Sequence, residues 1–289
     1  MNKISVIILS LVVSASSLYA QEKAEETAPT TAAPVNPNEG YNKHSIRPIH
    51  ESDIMYKKSI VRALDLREKQ NKPLFSTNRQ ITKLLLEAVK RGDIKAYASD
   101  SLDDGKTLSI EEFNDRYKMP SQGVELSAEE KEIALANGDS SVISNGGAFN
   151  YEPRDLYQME IKEDLIFDKQ RSRMYYDIHS ITLYVPADHP SNVKGIQTVV
   201  ASFMYKELVE KLFKDNPNAI WFNPQNDQQH KNLADAFELR LFSSYIIKVS
   251  NPSDAYLVDI YGGDQKKGIM ASQWAAFELL EYEHNLWEF

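Results

Sequence analysis

The sequence predicts an α+β protein of two related α+β halves, because two distant segments resemble each other and helical and strand-like patterns alternate irregularly. Met174–Tyr184 is dense in Tyr, Ile and Thr, which suit a pleated and half-buried strand. It follows Asp164–Arg173, which aligns without a gap with Asp53–Arg62, so that Asp, Lys and Arg coincide at the first, sixth and tenth places. Because the two segments lie about one subdomain apart, the alignment predicts an internal duplication and not a solenoid.

Residues 1–20 predict a secretory signal peptide. Lys3 precedes an apolar run from Ile4 to Val13, and small residues precede Ala20, after which cleavage is expected. This run is about half the ~20 apolar residues that a membrane-spanning helix needs, and no later stretch predicts a span. Residues 21–40 are rich in Glu, Ala, Thr and Pro and have no aromatic residue, so they predict a disordered linker.

The bulk composition restricts both partners and chemistry. A net charge of −9 argues against nucleic acid or an anionic membrane as partner, because both attract clustered basic charge. The sequence contains no cysteine, which excludes disulfides, thiolate metal sites, cysteine nucleophiles and an acylated N-terminal cysteine. The 289 residues, 42% of them apolar, suffice for one large core or two modest ones.

The first half is expected to span residues 41–120. From Asp53 onward the pattern has no clean period, and we predict a short helix that runs into an extended segment at Val61–Leu66. A helix is predicted from an N-cap at Asn78 to Arg91, because apolar residues recur at helical spacing and a glycine follows. The half is completed by a turn-rich loop and a weaker helix, predicted at Asp100–Gly105 and Ser109–Lys118.

Residues 121–153 predict a connection between the halves. Ser127 and Glu130 have the spacing of a capping box, and Asn137-Gly138 is typical of a helix end. The segment is therefore expected to be loop with one short helix.

The second half is expected to span residues 154–289. It begins strand-rich, up to Tyr184, and continues with a helix at Val199–Phe213, a buried strand at Ile220–Phe222 and a helix at Leu233–Leu241. Tyr245–Val249 and Ala255–Tyr261 predict an antiparallel hairpin, because Asn251–Asp254 has turn chemistry. The last predicted element is a C-terminal helix from Ser272 to about Leu286.

One loop resembles a calcium site. From Asp100 to Glu111 there are acids at the first, fifth and twelfth places and Gly at the sixth. The third place, where an oxygen ligand belongs, is Leu102, and the eighth, normally apolar, is Thr107. These two faults favour a plain acidic turn, with a calcium site as the alternative.

The histidines show no zinc signature, since no two stand four residues apart. They are His44, His50, His179, His189, His230 and His284. His179 and Asp177 are two positions apart in the predicted strand and therefore share a face. They form a candidate catalytic pair, but no nucleophile is recognisable beside them, which favours a structural histidine.

Other chemistry-bearing residues lack the context of a site. Ser243-Ser244 has no nucleophile-elbow pattern, and the glycine pairs 146–147 and 262–263 have neither a Walker lysine nor dinucleotide spacing. Two charged groups have both a functional and a structural interpretation. The first group is the acids Glu278, Glu281 and Glu283, which would either do acid–base chemistry or form a solvated helix face. The second group is Lys169, Arg171 and Arg173. These basic residues would either bind an anion or partner, or pair with Asp164 and Asp168. We predict no catalytic, cofactor-binding or metal-binding residue.

Four segments carry a family resemblance and occur in this order along the chain: SDIMYKKSIVRALDLREKQNKPL, EDLIFDKQRSRMYYDI, FELRLFSSYIIKVSNPSDAYLVDIYGG and the terminal ELLEYEHNLWEF. Together they resemble the GldN/PorN family of gliding-motility and type IX secretion proteins of Bacteroidota, over Ser52–Phe289. The family often has Trp where this chain has Tyr56 and Val61. It is not described by catalytic positions, so none is carried over.

The resemblance implies a non-enzymatic structural component, located in the periplasm and associated with the inner face of the outer membrane. It also implies a large ring formed by self-association together with a GldK/PorK-type outer-membrane lipoprotein. A further implied partner is the periplasmic portion of a GldM/PorM-type inner-membrane motor protein. The alternatives from the residues themselves are a periplasmic hydrolase using His179 with Asp177, and a calcium-binding module using Asp100–Glu111.

Overall fold

A five-stranded antiparallel sheet, in the order β4-β3-β2-β1-β7, organises the fold. Its strands are β1 (Ile54–Asp65), β2 (Gln158–Asp168), β3 (Arg173–Val185), β4 (Thr198–Met204) and β7 (Tyr245–Val249). A separate short pair consists of β5 (Ile220–Trp221) and β6 (Lys231–Asn232). The computed structural model describes residues 40–102, 106–119, 150–192 and 195–286, and Tyr41–Phe289 belong to one compact unit.

The helices of the described chain lie between these strands and after the last of them. They are α1 (Ile81–Arg91), α2 (Ile110–Tyr117), α3 (Tyr205–Glu207) with a π-helical continuation (Leu208–Phe213), α4 (Leu233–Glu238), α5 (Leu257–Ile260) and α6 (Gln265–Asn285). Mixed helices, an antiparallel sheet and a C-terminal helix confirm the predicted α+β class.

The internal duplication is not confirmed. Asp53–Arg62 lies almost entirely in β1, whereas Asp164–Arg173 contains the end of β2, a turn and the first residue of β3. The two segments are antiparallel neighbours, with Ser59 opposite Asp164. β1, from the predicted first half, thus lies between β2 and β7 of the predicted second half. The sequence similarity between the two segments is therefore a similarity between adjacent strands of a single sheet.

The ends of the first two helices show where local sequence signals determine a helix boundary and where they do not. Gly92 ends α1 with φ at 79°, a left-handed conformation that glycine adopts without strain, as its position predicts. Asn78 is not the N-cap: α1 begins after Gln80, which makes no side-chain cap hydrogen bond. Ser109 caps α2 through a reciprocal capping box with Glu112.

Three predicted elements are wrong. The short helix after Asp53 is strand β1, and a 3₁₀ turn at Glu51–Asp53 directly precedes it. The predicted helix at 199–213 begins as β4 and becomes helical only at Tyr205. The predicted hairpin is absent among the described residues, because the segment after β7 forms α5 in place of a second strand.

The buried side chains form two clusters. The larger is built around α1, β4 and the helices near Phe213 and Phe237, and it includes Ile161 of β2. The smaller joins Ile60, Leu165 and Ile246 to Ala275 and Leu279 of α6. Packing against this smaller cluster fixes the C-terminal helix to the sheet.

Several predictions lie outside the described residues. They are the signal peptide at 1–20, nearly all of the linker at 21–40, the capping box in 121–153 and Gly146-Gly147. The division into halves at 121–153 remains a prediction.

Candidate interaction surface

The C-terminal helix α6 is apolar on two opposite sides. Gly268, Ala271, Ala275 and Leu279 face the protein and are buried. A second stripe at helical spacing points away from it, and we call this stripe the outer face of α6. Its members and their exposed fractions are Ile269 (59%), Met270 (61%), Trp274 (71%), Phe277 (68%) and Leu280 (61%). An apolar stripe on a helix normally packs against another surface.

The helix that carries the outer face is held firmly. Asp264 caps its N-terminus by accepting a hydrogen bond from the backbone N–H of Lys266, at 3.0 Å. Gly268 lies so close to Val258 of α5 that an added Cβ would lie 2.5 Å from the valine Cγ2. Tyr282 stacks on Tyr56 of β1, with ring centroids 4.2 Å apart. The outer face is therefore a preformed surface on a positioned element.

Charged residues lie beside this apolar stripe. Lys266 and Lys267 are exposed in the first turn, and Glu278 and Glu281 are exposed in the second half of the helix. Glu283 is partly buried. Glu278 and Glu281 have the exposed placement expected of a helix flank, and they border an apolar surface as the polar rim of an interface does.

A polar cluster lies elsewhere, at Asp164 of β2. Its carboxylate contacts Lys57 at 2.7 Å and His179 Nε2 at 2.8 Å, and Ser59 donates a hydrogen bond to it. Burial alone would raise the pKa of Asp164, but the hydrogen bonds from His179, Lys57 and Ser59 outweigh burial and hold that pKa well below its usual value. The cluster is thus built around an ionised carboxylate.

His179 and Asp177, the candidate catalytic pair, both belong to a wider polar network. His179 makes its ionic contact with Asp164, and Asn42 lies 3.4 Å from both the His179 ring and the Asp177 carboxylate. Burial raises the pKa of Asp177, against a hydrogen bond from Ser45. Catalysis by a serine–histidine pair requires the hydroxyl to donate to the imidazole. The hydroxyl of Ser59 donates to Asp164, so this geometry favours a structural network.

A second ionic cluster could not be seen in the sequence. Glu163 of β2 has no exposed surface, and it accepts hydrogen bonds from Arg62 and from Arg240, whose Nη1 lies 2.7 Å from Oε2. The guanidinium carbon of Arg240 lies over the Tyr176 ring, 4.2 Å from the ring centroid. Burial of a carboxylate requires such pairing, but separations of 101 and 77 residues leave no local signal.

The basic residues after β2 divide into two kinds. Arg171 pairs with Asp168 at 2.8 Å, which is the internal pairing considered for this cluster. Arg173 has no ion pair among the described residues, and its guanidinium lies 5.7 Å from the centroid of the Tyr175 ring. Arg173 therefore remains available to a partner.

The calcium pattern is partly described. Leu102, at the third place, is buried, and Asp100 pairs with Lys162 at 3.1 Å. Asp103–Gly105 lie outside the described residues. In the part of the chain that is described, no three histidine or acidic side chains stand close enough together to hold a metal ion.

The serine and glycine pairs also occupy structural positions. The backbone N–H of Ser243 donates to Oδ1 of the buried Asn71 at 2.7 Å, and the backbone carbonyl of Ser243 accepts from Asn71 Nδ2 at 2.9 Å. Gly262 and Gly263 both have φ of 76° in the turn between α5 and α6. None of the described helices is long and apolar enough to cross a bilayer.

Comparison with known proteins identifies one family. Residues 49–288 match the model of a family described as gliding motility associated protein GldN. No curated protein matches the chain. The matched range contains every described strand and helix, and it includes the outer face of α6.

Proposed function

The chain belongs to the GldN family of gliding-motility-associated proteins, and we propose that it is a non-enzymatic structural component of the type IX secretion and gliding machinery. In this proposal it forms a ring in the periplasm with an outer-membrane lipoprotein of the GldK/PorK type. It also contacts the periplasmic part of an inner-membrane motor protein of the GldM/PorM type. The signal peptide predicted at residues 1–20 supports export, and the family supports a role in the gliding machinery.

The observation that carries a structural role is the outer face of α6. Five large apolar side chains, each more than half exposed, form a continuous stripe on an anchored helix. Contiguous apolar surface of this kind marks protein–protein contact. Trp and Phe, at 274 and 277, are residue types enriched in interface cores.

A ring places a geometric requirement on the contact surfaces. Each copy must present two different patches, so that the contact repeats by rotation and closes. The outer face of α6 supplies one apolar patch, and its charged borders at Lys267 and Glu281 would restrict the angle at which a neighbour docks. Rigid presentation favours assembly, because little conformational freedom is lost when the contact forms.

The polar clusters support a structural and not a catalytic role. Glu163 is enclosed by Arg62 and Arg240, and Asp164 by Lys57, Ser59 and His179. Both carboxylates use their hydrogen-bonding capacity on protein groups. Neither cluster combines an activated nucleophile with a base that contacts it.

Affinity purification from detergent-solubilised envelopes tests the proposal. The expected result is a very large assembly that contains this chain and a lipoprotein and that images as rings. A chain that is recovered only as a monomer, without a lipoprotein, would contradict it. A His179→Ala variant with normal secretion would remove the hydrolase alternative, and calorimetry that shows no heat with calcium would remove the calcium module.

A further inference from the structure

Half of strand β3 extends past the end of its outer neighbour. β4 pairs with β3 only at Ser180–Val185, and at Met204 the chain leaves the sheet to enter α3. The other half, Arg173–Ile178, pairs with β2 along its full length. On the side away from β2, Arg173–Ile178 has no neighbouring strand among the described residues, although β4 pairs with the rest of β3 on that side.

The backbone of this edge is not used by the described chain. In an antiparallel strand, alternate residues direct both N–H and C=O toward one neighbour and the rest toward the other. Within the described residues, Arg173–Ile178 make no backbone hydrogen bond or isolated bridge on the side away from β2. An unpaired strand edge is a template for another strand.

A cleft lies along this edge. Its volume is about 690 Å³, and it is lined by side chains from both faces of β3, as expected for a cleft that follows a strand edge. Ile46–Ile49 and Glu238–Arg240 also line the cleft and are joined by the ion pair between Arg47 and Glu238, and Tyr205 directly follows the end of β4. Extended chain rises about 3.3 Å per residue, so the unpaired stretch offers a strand-length site.

The charges that line the cleft select the chemistry of an occupant. Four arginines line it, together with Glu238 and with Asp177, whose carboxylate accepts a hydrogen bond from Asn42, in a chain of net charge −9. Arg47, Arg171 and Arg240 are paired with Glu238, Asp168 and Glu163. Arg173 has no acidic partner in the described part of the chain, and exposed apolar groups of Ile46 and Leu239 lie in the same cleft.

We propose that this cleft binds an extended acidic peptide segment of a partner protein. The segment adds a strand to the sheet beside Arg173–Ile178, on the side of β3 where β4 pairs with the other half of the strand. A carboxylate of the segment pairs with Arg173. Backbone hydrogen bonds supply affinity and the side-chain pockets supply selectivity, as in other cases of strand addition. This site is distinct from the outer face of α6 and does not depend on ring assembly.

Fluorescence anisotropy on the purified protein tests the inference with synthetic peptides of about ten residues. The first alternates Glu and Val, the second replaces Glu by Lys, and the third keeps the charge but has Pro at alternate positions. We expect the first to bind, the second not to bind, and the third to lose more than about tenfold in affinity because proline removes the donor N–H groups. Hydrogen exchange should slow at Arg173–Ile178 when the first peptide binds.

Two matched charge reversals complete the test. Arg173→Glu should weaken binding of the acidic peptide roughly three- to tenfold, whereas Arg154→Glu, at an exposed position outside the cleft, should leave it unchanged. Equal binding of the acidic and proline-containing peptides would overturn strand addition. Binding that responds equally to the two reversals, or no binding of the acidic peptide, would overturn the site.

Discussion

Glu163 and Arg240, 77 residues apart in the chain, form a bidentate ion pair with distances of 2.7 and 3.1 Å. Arg62 donates a third hydrogen bond to the same carboxylate, which has no exposed surface. The pair links β2 to the segment that follows α4. Ile161 and Leu165 lie two positions to either side of Glu163 on β2. Ile161 belongs to the larger core cluster and Leu165 to the smaller one. The buried charges are tolerated because each has a partner.

Glu163→Ala should therefore destabilise the fold strongly. It leaves Arg62 and Arg240 without their carboxylate in a desolvated site, and breaking a buried pair in this way costs about 3–5 kcal/mol of unfolding free energy. Urea denaturation measures the change. Glu68→Ala, at an exposed position, is the control and should change the unfolding free energy by less than about 0.5 kcal/mol. Equal effects of the two substitutions would refute this role for Glu163.

Asp164→Asn should change the acid limb of stability. The folded-state pKa of Asp164 is depressed below the usual value of about 3.9, so its stabilisation is fully present above about pH 4 and is lost as pH falls through the folded pKa. The difference in unfolding free energy between wild type and Asp164→Asn should therefore shrink below about pH 4. Denaturation at several pH values measures it, with Asp227→Asn as an exposed control. A pH-independent difference would show that the ionised carboxylate is not responsible.

Gly268→Ala should stabilise the protein only if Val258 is also shortened. Alanine favours a helix over glycine by about 1 kcal/mol, but here its Cβ would overlap the Val258 side chain, and overpacking costs about 1–3 kcal/mol. A double-mutant cycle with Val258→Ala should give a coupling energy of at least about 1 kcal/mol. Additive effects of the two substitutions on the midpoint of urea unfolding would mean that α5 and α6 are not in contact at this position.

The elements that the sequence predicts well are those whose own residues determine them. Met174–Tyr184 lies within β3 because Tyr, Ile and Thr suit a strand, and Gly92 ends α1 because a left-handed conformation is required there. The sequence also predicts the C-terminal helix, which in the structure begins earlier, at Gln265.

The incorrectly predicted elements depend on distant partners. β1 carries Lys57, Ser59 and Arg62, whose polar groups obscure a strand period in the sequence and are satisfied by Asp164 and Glu163 only in the fold. Thr198–Met204 becomes a strand because β3 pairs with it, against a pattern that also fits a helix. The turn chemistry of Asn251–Asp254 does fold locally, but α5 follows it and packs against α6.

The candidate surface was only partly visible in the sequence. Helical spacing within Ser272–Leu286 predicts one apolar side made of Ala275, Leu279, Tyr282 and Leu286. Ala275 and Leu279 are buried, whereas Tyr282 is 40% exposed. Ile269 and Met270 lay outside the predicted helix, so the outer stripe could not be recognised as continuous. Two apolar stripes on one helix become informative only when the fold shows which of them is covered.

Assembly through the outer face of α6 is tested most directly with a paired charge substitution. Trp274→Lys with Phe277→Lys should leave the unfolding midpoint of the isolated protein nearly unchanged, because both side chains are already exposed. The same variant should lose the large complex in sedimentation of solubilised envelopes, since two charges in an apolar interface core are costly. Ile196→Lys, at a position 66% exposed in another region, is the control and should sediment with the complex. Retention of the full-size complex by the Trp274 and Phe277 variant would contradict the account.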